Sequence, residues 1–141
     1  MAAPTRVLAL MLALPLVLGA CGQSVKDSSG DFQGDQKKVA QAVEDLQSAG
    51  RKHDASEICD KLLAPALVAK IKAASNGTCD KVLKDALSDA DSFELQVQKV
   101  TISGTSAKAV VKSEGGDQDR TDTLELVKVG TAWKIATLGA A

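Results

Sequence analysis

The sequence predicts an α+β domain, and three observations carry that reading. Apolar residues recur at helical spacing from Asp35 to Leu87, the period switches to two at Phe93, and turn residues then divide the remaining chain into short strands. The expected architecture is three N-terminal helices packed on a bent antiparallel sheet of about four strands.

Asp35 opens the first helix. Val39, Val43 and Leu46 form its apolar stripe, Lys37, Lys38, Glu44 and Asp45 face outward, and Gly50 is the expected stop. Asp54 and Glu57 have capping-box spacing ahead of Ile58, Cys59, Leu62 and Leu63, so a second helix starts at Asp54. Pro65 restarts that helix in a favoured first-turn position, with Leu67, Val68 and Ile71 continuing the apolar face. Ser75-Asn76-Gly77 is a turn, Thr78 the N-cap of a third helix, and Val82, Leu83, Ala86 and Leu87 its face.

Phe93, Leu95 and Val97 then alternate with Glu94, Gln96 and Gln98, the pattern of a half-buried strand. Val100 and Ile102 continue with opposite parity, and a bulge near Gln98-Lys99 would return them to the same face while bending the strand. Gly104-Thr105 turns the chain into a second strand, Ala107 to Lys112. A polar connection, Glu114 to Asp119, leads to strands over Thr121–Val129 and Trp133–Leu138, joined by Gly130-Thr131.

Composition excludes two functional classes. The chain has 141 residues and a net charge of −1, and removing residues 1–20 takes away only Arg6, leaving −2. No basic excess exists to neutralise phosphates, so nucleic acid is not an expected partner. Phe32, Phe93 and Trp133 are the only aromatics, with no tyrosine, so a site built on stacking has little to work with.

The N-terminus carries the strongest signal. Arg6 precedes an uncharged apolar run of 12 residues, Val7 to Leu18. As a helix that run spans about 18 Å, against a hydrocarbon core of roughly 30 Å, and so suits a signal-peptide h-region. It ends in Leu18-Gly19-Ala20-Cys21, which resembles the lipobox of bacterial lipoproteins. The resemblance implies cleavage before Cys21, lipid on its thiol and attachment to an extracytoplasmic membrane surface of a bacterial envelope. The alternatives are an uncleaved membrane helix or an ordinary signal cut near Ala20. The resulting division is a signal peptide at 1–20, a lipidated flexible tether at 21–34 and a domain at 35–141. The tether reading rests on the polar, Ser- and Gly-rich stretch Gly22 to Gly34, in which Phe32 alone is able to pack back on the domain.

A helix pair, a short third helix and a bent sheet closing in Thr131-Ala132-Trp133-Lys134-Ile135 resemble the nuclear transport factor 2-like superfamily of cone-shaped domains. Asp54–Pro65 and the helix start at Cys79 further resemble small bacterial lipoproteins with a disulfide between the second and third helices. The superfamily contains dehydratases and isomerases alongside members that only bind, so fold alone does not assign chemistry. This chain has no tyrosine, and no catalytic residue carries over.

Several residues remain to be weighed. With Cys21 lipidated, Cys59 and Cys79 are left as a pair, which in an oxidising envelope reads as a disulfide; two buried free thiols, or a metal pair short of further ligands, are the alternatives. His53, the only histidine, is a candidate general base, but Arg51-Lys52-His53-Asp54 reads better as a solvated loop. Glu114, Asp117, Asp119 and Asp122 are candidate calcium ligands, although their spacing is not that of an EF-hand and an acidic hairpin tip explains them. Asn76-Gly77-Thr78 matches a glycosylation acceptor but is already explained as turn and cap. Lys99, Lys108, Lys112, Lys128 and Lys134 are expected on strands facing solvent or a partner. No cofactor or metal is expected. The domain is read as a non-catalytic binder of a partner protein or a small apolar molecule, with a small isomerase or dehydratase as the rival and a structural or sensory accessory of a membrane complex as a third reading.

Overall fold

A computed structural model of the chain describes residues 28–90, 93–114 and 119–138. The expected signal segment, Cys21 and Asp117 lie outside these residues. α1 (Gly34–Arg51) buries Val39, Val43 and Leu46, as their spacing requires. It runs past Gly50 and reverses through His53, a non-glycine residue in the left-handed region at φ 56°. His53 N–H donates to Gly50 O and Asp54 N–H to Ala49 O, satisfying carbonyls at the helix end. Gly50 is therefore not the stop. Its missing Cβ instead makes room for the ring of Phe93.

The Asp54 carboxylate accepts from Glu57 N–H at 2.9 Å and opens α2 (Ala55–Glu57), which passes into a π-helical turn, Ile58–Leu62. Leu63 and Ala64 are extended. The pyrrolidine of Pro65 drives Ala64 out of the helical region. Here the chain crosses to the sheet edge, where Ala64 N–H donates to Ile135 O at 2.7 Å. α3 (Pro65–Ser75) follows, ends at left-handed Asn76, and gives way to α4 (Cys79–Ser88), which is capped by Thr78 Oγ1. The described residues thus hold four α-helical segments where three helices were expected. The break at Leu63–Ala64 lets the chain cover an edge strand.

β1 (Glu94–Ser103), β2 (Ser106–Glu114), β3 (Arg120–Val129) and β4 (Ala132–Thr137) form an antiparallel meander in sequence order. The pairing shifts between Val97 and Lys99, so the expected bulge is present and Val97 and Val100 are both buried. A second shift, which skips Ala136 opposite β3, was not read from the sequence. Gly104 and Gly130 supply the positive φ of the two tight turns.

Both edges of the sheet are closed. On β1, Leu95 N–H donates to Gln47 Oε1, Val97 N–H donates to Ser28 Oγ at 3.1 Å, and Val100 O accepts from Gln36 Nε2 at 3.1 Å. On β4, Leu63 bridges Ile135 and Lys134 Nζ donates to Lys61 O. A free edge would template another strand, and here these edge groups of β1 and β4 already have partners within the chain. Ser28 and Ser29 are buried, Ser29–Asp31 forms a 3-10 turn, and Phe32 packs against the core. The expected tether is therefore part of the domain from Ser28 onward, because its polar groups find partners on β1 and α1.

The core lies between α1 and the inner sheet face. Val39, Val43, Leu63, Val111, Leu126 and Ile135 are its largest fully buried side chains. Each such side chain contributes about 1.5–3 kcal/mol relative to exposure.

Candidate functional site

The inner face of the sheet is not covered uniformly. α1 packs tightly over β1 and β4, whereas α4 packs on α2 and α3 and stands off the strands. The space left is a cavity of about 260 Å³. α1 contributes Leu46, the π-helical turn Ile58, and α4 the face Leu83, Ala86 and Leu87. Phe93 and Leu95 line it at the entry to β1, Val111 and Leu124 rise from β2 and β3, and Leu138 closes the end of β4. Among the described residues, Asp122 is the only charged side chain in this lining. A concave apolar surface with one polar group is the usual form of a small-molecule site.

The wall formed by α4 is fixed from below. Cys59 and Cys79, both buried, form a disulfide that joins the π-helical turn to the first residue of α4. The alternative of two free thiols is thereby removed for this structure.

A larger depression of about 560 Å³ lies on the opposite sheet face, lined by Lys99, Thr101, Lys108, Val110, Thr123, Glu125 and Thr137. Its lining is polar and exposed, and Lys108 already pairs with Glu125 at 3.7 Å across the strands. The smaller cavity is the better candidate, because binding gains most where apolar surface leaves water.

His53 is exposed and lines a separate depression of about 280 Å³ with Arg51 and Glu94. That depression shares Leu87, Ala90 and Phe93 with the cavity, but His53 itself is not part of the cavity lining. Asp119 pairs with Lys112 at 2.6 Å, and its hydrogen bond is the main cause of the raised Lys112 pKa. Glu114 also reaches Lys112, at 3.5 Å. Asp122 faces inward on β3, apart from these. Among the described residues no group of three or more His, Cys, Asp or Glu side chains is placed to hold a metal ion. Asn76 and Thr78 serve as turn and cap.

Lys128 departs from the expected outward position. It shares strand parity with Leu124 and Leu126, and its Nζ donates to Asp35 Oδ2 at 3.1 Å while standing 5.7 Å from the Trp133 ring centroid. Asp122, expected with the acidic hairpin tip, instead lines the cavity. The period-two pattern of Thr121–Val129 carried the signal, because it sets Asp122 on the face of Leu124 and Leu126.

Helices followed by a bent four-stranded antiparallel meander, with a cavity between them, make this an α+β domain. Residues 30–138 match the family model described as "Putative lumazine-binding", and the chain belongs to that family. Among solved structures, a five-substitution variant of the protein called Rd1NTF2_05 aligns at 13% identity and a TM-score of 0.47, covering 72% of this chain and 95% of that one. A second, called "De novo designed NTF2 fold protein NT-9", aligns at 15% identity and a TM-score of 0.42, covering 71% and 80%. No curated protein matches the chain. Among the described residues no helix is long and apolar enough to cross a membrane.

Proposed function

We propose that this domain binds a small, mainly apolar molecule in the cavity beneath α4, without catalysis, while lipid on Cys21 holds it at an extracytoplasmic membrane surface of a bacterial envelope. The observation that carries the binding reading is the cavity lining, apolar apart from one carboxylate at Asp122 among the described residues. Proton transfer in such a cone needs an acid–base pair, and among the described residues Asp122 has no second titratable group beside it in the lining. The family description names lumazine, a flat pteridine. Phe93 is the only aromatic wall available to it, which favours a ligand with an aliphatic body.

The anchor reading is supported by the apolar run ending at Cys21. Ser28 is pinned to β1, so only residues 22–27 separate the lipidated cysteine from the domain. At about 3.5 Å per residue, the domain is held within roughly 25 Å of the lipid.

A thermal-shift screen of the purified protein against fatty alcohols, isoprenoid alcohols and lumazine tests the binding reading. A ligand at a hundred times its dissociation constant adds about 2.7 kcal/mol and raises the melting temperature clearly. Turnover of any compound would promote the enzymatic rival. Labelled fatty acid incorporated by the wild type and lost in Cys21→Ser tests the anchor.

A further inference from the structure

Among the described residues the cavity lining holds one charge, and the sheet fixes where it stands. On β3, Asp122 pairs in register with Val111 and Leu124 with Ala109, so Asp122 lies one inward position beyond Leu124. Arg120 shares its strand parity at the start of β3 but is exposed and outside the lining, so Asp122 is the last lining residue of an otherwise aliphatic wall. The two ends of this inner row are treated differently. Lys128, at the far end, is held by Asp35 at 3.1 Å. Asp122, at the cavity end, has among the described residues an ion pair only with Arg120 Nη2 at 3.9 Å, and the Arg120 side chain is 68% exposed while that of Asp122 is 26% exposed. A pair of that length with a solvated guanidinium is weak. A carboxylate accepts at about four lone-pair positions, and one distant guanidinium leaves most of them for a donor arriving from the cavity.

We propose that the cavity selects ligands with an aliphatic body and a cationic nitrogen at one end, the nitrogen seated on the Asp122 carboxylate. This rests on the binding reading above. The aliphatic lining supplies affinity without direction, and the carboxylate supplies direction and charge selection. A cationic head gains a charge-assisted hydrogen bond in a partly desolvated place, a neutral head gains less, and an anionic head is repelled. With a water-sized group taking about 30 Å³, a cavity of about 260 Å³ fits a ligand of about nine non-hydrogen atoms.

Three ligands of matched length test this on the mature chain (residues 21–141) carrying Cys21→Ser, which removes lipid from the assay. They are n-octylammonium, n-octanol and octanoate, titrated at neutral pH by calorimetry. The expected order is octylammonium about tenfold tighter than octanol, with octanoate weakest. In Asp122→Asn the ratio of octylammonium to octanol affinity should collapse to about one, and in Asp122→Glu it should persist. If Asp122→Asn does not fold, the wild-type series and Asp122→Glu decide. Equal affinity for octylammonium and octanol in the wild type would overturn the head-group assignment and leave the cavity reading standing. A preference that survives Asp122→Asn would overturn it too. Failure of all three ligands to bind would overturn both readings together.

Discussion

Phe93 lays its ring over Gly50, so closely that a Cβ on that residue would overlap the ring carbons. The contact joins the last turn of α1 to the start of β1 and sets one wall of the cavity, since Phe93 lines it.

Gly50→Ala tests whether that contact matters more than backbone propensity. Alanine in a helix is favoured over glycine by about 1 kcal/mol. Overpacking against a ring costs about 1–3 kcal/mol. The expected net result is a lower melting temperature and a displaced Phe93. A rise in melting temperature would show that the ring moves aside at no cost.

The Cys59–Cys79 bridge spans 20 residues in sequence. In the chain-entropy model a loop of that size contributes about 3 kcal/mol. α4 packs on α2 and α3 rather than on the strands, so it should loosen first. Cys79→Ser should lower the melting temperature by more than about 10 °C and speed hydrogen exchange in α4 before the sheet. An unchanged melting temperature, or two thiols that alkylate without reduction, would contradict the bridge.

Asp35 predicts a dependence on pH. Its carboxylate accepts from Lys128 Nζ and Lys38 Nζ, both at 3.1 Å, and these bonds, Lys128 first, lower its pKa from the ordinary 3.8. A depressed folded pKa stabilises the fold above the unfolded value, and that contribution is lost as pH falls through the folded value. The wild type should therefore melt above Asp35→Asn at pH 7, by a small margin because the site is exposed. The margin should shrink with salt and vanish as pH drops below the usual carboxylate range. A margin unchanged down to pH 2 would contradict the assignment.

Much of the fold was legible in the sequence because local chemistry wrote it. Asp54 and Thr78 cap the helices they were expected to cap. Pro65 opens α3, and the parity change at Val100 marked the bulge. What escaped depends on partners distant in sequence. Ser28 reads as tether until Val97, 69 residues away, donates to its hydroxyl. Gly50 reads as a helix stop until Phe93 arrives above it. Lys128 reads as an outward lysine until Asp35 draws it over Trp133. The candidate site was partly legible. Its aliphatic character followed from Leu83, Leu87, Leu95 and Leu124, but Asp122 was grouped with its acidic neighbours instead of with its strand face.

The central claim is that ligand enters the cavity beneath α4 and not the larger depression on the opposite sheet face. Methyl-resolved NMR during titration with n-octanol measures this directly. Shifts concentrated at Leu83, Leu87, Leu95 and Leu124, which line the cavity, are the predicted result. Shifts confined to Val110 on the outer face, or no shifts at saturating octanol, would contradict it.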